Sequence, residues 1–311
     1  MDNPAITPGT DNRDKRIGID LGGTKIAAIG LIGDHQLTDI QQVNTPQNDY
    51  HDSINIIKSL VELLEDELGE EARIGLGMPG SLTRAGGLVQ NANSTWLNGK
   101  PFARDLEAAL GRDVRFANDA NCFALSESRD GAGKGASSLF GIILGTGCGG
   151  GLVLDGRIIE GPNRIGGEWG HNPLPWAQPG ETPGPRCWCG RNGCMEAWVS
   201  GPGMTADHER HTGEALTAEE IAALAAAGDN AAIATLNRHA SRLARGIAMV
   251  VNIFDPEQIV LGGGLSNMSH LYQDLPRLIT PHIFADEKTV DIRPPKHGAM
   301  SGVRGAARLW D

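Results

Sequence analysis

Four side chains with metal-binding donor atoms fall close together. His171 is followed by Cys187, Cys189 and Cys194, within the string Cys-Trp-Cys-Gly-Arg-Asn-Gly-Cys. One imidazole and three thiolates complete a tetrahedral Cys₃His set and leave no position open for water. The pattern predicts a structural zinc that orders a coil, not a metal that activates a nucleophile. Taken alone, His171 reads as a hydrogen-bonded structural histidine, so the C-x-C-x₄-C spacing carries the prediction. Cys122 sits in a helical pattern as an inert core thiol, and Cys148 fills space in a glycine turn.

Three glycine turns offer a second chemistry: Asp20-Leu-Gly-Gly-Thr-Lys25, Leu144-Gly-Thr-Gly-Cys-Gly-Gly-Gly151 and Leu261-Gly-Gly-Gly264. Phosphate needs several backbone N–H groups converging without side chains in the way, which glycine permits. None of the three matches G-x-x-x-x-G-K-[ST], so a P-loop is not the reading. One such turn alone would be an ordinary tight connection; three, each attached to an apolar strand, point to phosphate. Thr24 and Thr146 add hydroxyl donors and Lys25 a cation. Asp20 either holds Mg²⁺ through water or makes a local turn hydrogen bond.

Carboxylates complete the inventory. Asp119, after Asn118, lies where a strand ends and a helix begins, so it either caps the helix or serves as the base that deprotonates an attacking sugar hydroxyl. Glu168 and Glu196 flank the cysteine cluster. They are exposed charges or acceptors for vicinal sugar hydroxyls. A zinc-bound His171 would have its second ring nitrogen left to donate to a sugar.

These residues need elements to place them. Apolar strands flank the first glycine turn over 17–31, and the same strand, turn, strand pattern returns over 140–154, an internal duplication. Helical spacing runs over 53–68, and a buried strand is expected over 73–78. A helix over 102–110, a strand over 114–117 and a helix over 120–128 follow. Thr217 to Glu220 has the form of a capping box. A long helix over 231–254 stops at Asp255-Pro256, a strand covers 258–261, and a last helix is expected near 298–311. The coil over 176–192, rich in Pro, Gly, Cys and Trp, has no periodicity. The alternation indicates a mixed α/β fold, and the Gly-rich stretch over 128–138 marks a boundary between its halves.

The whole chain bounds the answer further. It has 311 residues, 43 of them glycine, and 40% hydrophobic content, enough for a substantial core. The net charge of -11 argues against nucleic acid or an anionic membrane as partner. No run of about eighteen apolar residues suggests a membrane span. Residues 1–16 are polar, lack the apolar centre of a signal peptide and read as a disordered tail. A cytoplasmic location with reduced thiols is expected.

The motifs together resemble the ROK family, which groups bacterial sugar kinases with related repressors. Asp20 to Lys25 and Leu144 to Gly147 look like its two phosphate motifs. Gly167-Glu-Trp-Gly-His171 and Cys187-x-Cys-Gly-x-x-Gly-Cys-x-Glu196 look like its sugar and zinc signature. The resemblance implies an actin-like, ribonuclease H-like, duplicated two-lobed kinase fold with a zinc-stabilised loop and sugar in the cleft. It implies a small lobe over 17–122, to which the C-terminal helix returns, and a large lobe over 123–297 with the zinc loop at 171–196. Asp119 becomes the base; Asn93, Asn118, Asp119, Glu168, His171 and Glu196 hold the sugar. Asp20, Gly22, Gly23, Thr24, Lys25, Gly145, Thr146 and Gly147 face the phosphates of Mg-ATP, with Gly262, Gly263 and Gly264 near the adenosine. A homodimer is usual for the family. About sixteen residues ahead of the first strand are too few for a repressor's DNA-binding module.

Within the family, Asn91-Ala-Asn-Ser-Thr-Trp-Leu-Asn-Gly99 and Gly170-His-Asn-Pro-Leu-Pro-Trp176 resemble bacterial fructokinases. The expectation is phosphorylation of fructose, or mannose, at the 6-hydroxyl. N-acetylglucosamine kinases, which share the string from Asn118 to Glu127, and glucokinases are the alternative. A sugar sensor without catalysis and a zinc-ribbon interaction module are rivals of other classes; the second leaves the glycine turns unexplained.

Overall fold

A computed structural model describes residues 15–311. Residues 1–14 of the expected tail lie outside the described residues, but its last two, Lys15 and Arg16, open the first strand instead. Close contacts divide the chain into two units. The first runs through Cys122 and adds 162–164 and 302–311; the second takes 123–161 and 165–301.

In the first unit, β1 (Lys15–Leu21) and β2 (Lys25–Ile32) form an antiparallel hairpin around the first glycine turn. β3 (His35–Gln36) and β4 (Gln41–Asn44) both pair with β2. Helix α1 (Tyr50–Leu68) starts three residues ahead of the expected 53, because Asp49 accepts the Asp52 N–H and caps it. Ile54, Ile57, Val61 and Leu64 form its buried stripe. β5 (Arg73–Met78) lies parallel to β1, the short hairpin β6 (Ser81–Leu82) and β7 (Val89–Gln90) follows, and then come α2 (Phe102–Leu110) and β8 (Val114–Asn118). The sheet order is β3-β2-β1-β5-β8.

Helix α3 (Asp119–Arg129) follows β8 directly. The division between the units falls inside this helix, ahead of the Gly-rich stretch over 128–138, which belongs wholly to the second unit. The stretch packs within that unit instead: Gly133 N–H donates to Glu127 O at 2.9 Å, and a Cβ on Gly133 would strike Leu139.

The second unit repeats the plan. β9 (Ser138–Leu144) and β10 (Cys148–Leu154) form the second antiparallel glycine hairpin, extended by β11 (Arg157–Ile158). After the zinc loop come α4 (Glu196–Val199), α5 (Gly201–Thr212), α6 (Ala218–Ala226) and α7 (Asn230–Phe254). The capping box at Thr217 and Glu220 is present. β12 (Gln258–Gly262) is parallel to β9; α8 (Ser269–Ile279) and β13 (Ile292–Arg293) follow, giving the order β11-β10-β9-β12-β13. Hairpin, central strand and parallel partner therefore recur in both sheets.

The C-terminus is less regular than one helix over 298–311. α9 (Ser301–Ala307) is flanked by 3₁₀ turns at Gly298–Met300 and Arg308–Trp310. A Cβ on Gly18 would strike the backbone of Val303 and Ala307, so β1 is bare where α9 lies on it. In the second unit, a Cβ on Gly141 of β9 would strike Ala124 of α3. Gly18 and Gly141 are matching positions of the duplication, and both admit a helix backbone to the sheet.

Candidate functional site

In the first unit the strand ends carry the chemistry. Asp20 lies near the end of β1 and Asn118-Asp119 at the junction of β8 and α3. Burial raises both carboxyls above the ordinary range; for Asp20, burial and then the neighbouring Asp119 bring it to about 7. Asp119 Oδ1 and Asn118 Oδ1 both accept the Ala120 N–H, at 2.8 and 2.9 Å. Asp119 therefore does bond the first turn of α3, yet remains beside a second carboxyl, which a cap alone does not require.

Asn118 Nδ2 donates to Gly80 O at 3.1 Å. Gly80 has φ +72, and a Cβ there would collide with the backbone from Gln90 to Ala92. That glycine lets the end of β5, Asn118 and the loop bearing Asn93 share one small space. Asn98 closes the loop by bonding Ala92 through both N–H and carbonyl at 2.9 Å, leaving Asn93 exposed.

The first glycine turn is tight: Gly22 N–H donates to Lys25 O at 3.0 Å. Thr45 braces it, its hydroxyl donating to Gly22 O at 2.7 Å. Gly23, Thr24 and Lys25 are exposed, and Lys25 Nζ donates to Gln42 Oε1 at 3.3 Å.

In the second unit, the turn at Gly145 to Gly147 is closed by a Gly145 N–H bond to Gly147 O at 3.0 Å, and Gly201 N–H at the start of α5 donates to Gly145 O at 2.8 Å. The third glycine turn abuts it, because a Cβ on Gly263 would meet the Leu144 carbonyl. Gly264 then opens onto a cavity of about 670 Å³ between α6, α7 and α8. Its apolar wall includes Ala222, Ile233, Leu236 and Met268. These side chains carry no signal in the sequence, since helix alanines and leucines read as ordinary core.

The zinc loop gathers the remaining residues. The donor atoms of His171, Cys187, Cys189 and Cys194 all lie within 4.8 Å of one another. Cys189 and Cys194 sulfurs are 3.6 Å apart, and Cys187 Sγ is 3.7 Å from His171 Nδ1. A tetrahedron with metal–sulfur bonds of about 2.3 Å has edges of about 3.8 Å, so the set fits zinc. Nδ1 faces the sulfurs, which leaves Nε2 as the nitrogen for other work.

Glu196 opens α4 and is fastened at both oxygens. Cys148 N–H donates to Oε2 at 3.0 Å and Trp188 Nε1 donates to Oε1 at 2.6 Å. The carboxylate thus ties the second glycine turn to the zinc loop. Trp188 is 61% exposed and stands edge-on to His171, ring centres 5.1 Å apart. Sequence reading passes over it; its one signal is an indole placed between two ligand cysteines. Glu168 precedes Trp169, whose indole donates to Gly149 O at 3.0 Å and so sets Glu168 beside the same hairpin.

Asp20, Asn118 and Asp119 are therefore brought together in the first unit. His171, Glu196, the cysteines and two glycine turns are brought together in the second. A duplicated α/β fold with glycine hairpins, a strand-end carboxylate and a Cys₃His loop defines a sugar kinase of the ROK type. The ROK family model matches residues 16–311, and the chain belongs to that family.

Among its relatives, the N-acetyl-D-glucosamine kinase of Haemophilus influenzae is 39% identical over 301 residues, covering 94% of this chain and 98% of the relative. That of Vibrio cholerae is 40% identical over 296 residues, covering 94% and 98%. The solved ROK hexokinase of Thermus thermophilus is 35% identical, with a TM-score of 0.84 over 94% of this chain and 96% of that one. A ROK glucokinase from Streptomyces griseus, solved with glucose and AMPPNP, is 26% identical, with a TM-score of 0.77 over 95% and 98%. No helix among the described residues is long and apolar enough to cross a membrane.

Proposed function

We propose that this protein transfers the γ-phosphoryl group of ATP to the 6-hydroxyl of N-acetyl-D-glucosamine. The observation that carries the choice of sugar is the 39–40% identity, over nearly the whole of both chains, to kinases named for that substrate. Fructose, which two strings of the sequence favour, is the second reading. One of those strings ends at Trp176, but Trp176 packs on His282 at 4.9 Å, and the indole against His171 belongs to Trp188.

In this reading Asn93, Asn118, Glu168, His171 and Glu196 accept from and donate to the sugar hydroxyls. Asp119 takes the proton as the 6-hydroxyl attacks, and burial, by raising its pKa, makes it a stronger base for that proton than a solvated carboxylate. Backbone N–H groups of Gly22 to Thr24 and Gly145 to Gly147 receive the charge spread over the transferring phosphoryl oxygens. The adenosine lies in the cavity beside Gly264. Asp20 suits Mg²⁺, since a divalent cation would offset the burial and the repulsion from Asp119 that together raise Asp20 to about 7. Bound Mg²⁺ would neutralise phosphate charge. Zinc at the Cys₃His set would lock the His171 ring and keep Nε2 free for the sugar.

Coupled ADP release measured with N-acetylglucosamine, glucose, fructose, mannose and N-acetylmannosamine tests the proposal. The highest kcat/KM is expected for N-acetylglucosamine. A higher value for fructose would transfer the assignment to the second reading, and no turnover with any hexose would remove both.

A further inference from the structure

Away from the residues proposed for sugar and nucleotide, the second unit holds a cavity of about 580 Å³ whose charges do not balance. Asp207 receives Arg238 Nε at 2.7 Å, Arg242 Nη1 at 2.8 Å and Arg210 Nη2 at 3.3 Å. Glu181 receives Arg242 Nε at 2.9 Å and Arg245 Nη1 at 2.7 Å. Four guanidiniums therefore share two carboxylates, which leaves two positive charges over. Burial works against both acids, but the arginine hydrogen bonds prevail: Glu181 is held down to about 2 and Asp207 is lowered as well. Both acids are ionised, and the surplus is real.

The surplus sits at the rim. The Asp207, Glu181 and Arg242 side chains are 2%, 9% and 5% exposed, whereas those of Arg210 and Arg238 are 41% and 27% exposed. The two deep guanidiniums, Arg242 and Arg245, are matched in number by the two acids, whereas Arg210 and Arg238 at the opening share Asp207 with Arg242 and bring no acid of their own. Arg242 and Arg210 also lie over the Trp198 ring, at 4.3 and 5.4 Å. Trp198 lines the cavity, and among the described residues its buried Nε1 has no acceptor. In a chain of net charge -11, a local surplus of cations needs its own explanation.

Guanidinium forks match the tetrahedral oxygens of phosphate in pairs. A phosphate dianion carries the two charges required. The remaining volume, bordered by Gln178, Asn237 and Ser241, has polar groups for hydroxyls of an ester. We propose that this cavity is a second, non-catalytic site for a phosphate dianion, either free or as a sugar phosphate ester. Arg245, which shares Glu181 with Arg242, also donates to Trp176 O at 2.8 Å and so links this charge cluster to the coil leading to the cysteines.

The test is titration calorimetry and thermal unfolding of the full zinc-loaded chain at constant ionic strength. The probes are inorganic phosphate, N-acetylglucosamine 6-phosphate and sodium chloride. The variants are R210Q/R238Q and R210K/R238K, judged folded by zinc content and by unchanged kcat. The wild type should bind one more equivalent of the phosphate probe than R210Q/R238Q, and the lysine pair should bind at least fivefold more weakly than wild type. Tighter binding of the ester than of inorganic phosphate assigns the site to a sugar phosphate, and equal affinity assigns it to free phosphate. Equal stoichiometry and affinity in wild type and R210Q/R238Q would overturn the proposal, as would an equal thermal shift from chloride. If the double variant loses zinc, Arg210→Gln alone gives the same comparison. Because the readout is binding, the result is independent of which hexose is phosphorylated.

Discussion

Asp119 sits in two hydrogen-bonding contexts at once, as a partner of the first turn of α3 and as a neighbour of Asp20. Asp119→Asn keeps an acceptor for Ala120 but removes the base. It should lower kcat by about 10²–10⁴-fold while leaving the sugar KM within a few-fold, measured by ADP release. Trp188 makes a different prediction. Trp188→Phe keeps the ring against His171 and loses only the N–H to Glu196. The sugar KM should rise about five- to tenfold, or about 1 kcal/mol, with zinc content and the KM for ATP unchanged. The types and spacing of Asp119 and the cysteines are legible in the chain because each is bound to a local pattern. Trp188 is not, since its partner Glu196 is met only when the loop folds back on itself.

At the scale of elements, the zinc loop has almost no secondary structure of its own: two isolated bridges, Pro173 with Cys194 and Arg186 with Asn192, are its only ladder contacts among the described residues. Zinc held by the Cys₃His set would supply the missing constraint. Cys194→Ser, or chelation, should raise the sugar KM at least tenfold before it changes the KM for ATP, because Glu196 and His171 lose their fixed positions; a kinetic comparison with measured zinc content checks this. The glycines under α9 and α3 answer to a different constraint. Gly18→Ala places a methyl into the backbone of α9 and should cost about 1–3 kcal/mol or more in urea unfolding. Helices α1, α6 and α7 are readable from periodicity and caps. The 3₁₀ breaks at the C-terminus are not, because close packing against glycine-bearing strands, not propensity, decides how long α9 can run.

Across the whole molecule, the two units carry buried groups that respond to pH in opposite directions. Asp20 in the first unit has its pKa raised from 3.8 to about 7, so the folded state binds the extra proton and stability falls as pH rises between those values. His239 in the second unit is lowered from 6.5 to about 4, chiefly by burial, with His270 and Arg242 adding to it and Asp207 opposing. It stays neutral in the folded state, and its stability is present above pH 6.5 and lost as pH falls towards 4, to about 3 kcal/mol. Calorimetry of metal-chelated protein from pH 7 to pH 5 should therefore show the first unit gaining and the second losing, so that the transition broadens or splits. His239→Gln should remove the second unit's share; an unchanged pH profile in that variant would discard the assignment.

The amino-acid order alone determined the α/β alternation, the duplicated glycine hairpins, the Cys₃His set and the carboxylates, because each is a local pattern of residue type and spacing. What only the tertiary structure decided are the pairings between distant segments. Which nitrogen of His171 faces the sulfurs, which tryptophan stands beside it, how Cys148 holds Glu196 and why four arginines share two acids all follow from packing. Such contacts join residues far apart in the chain, and no periodicity records them.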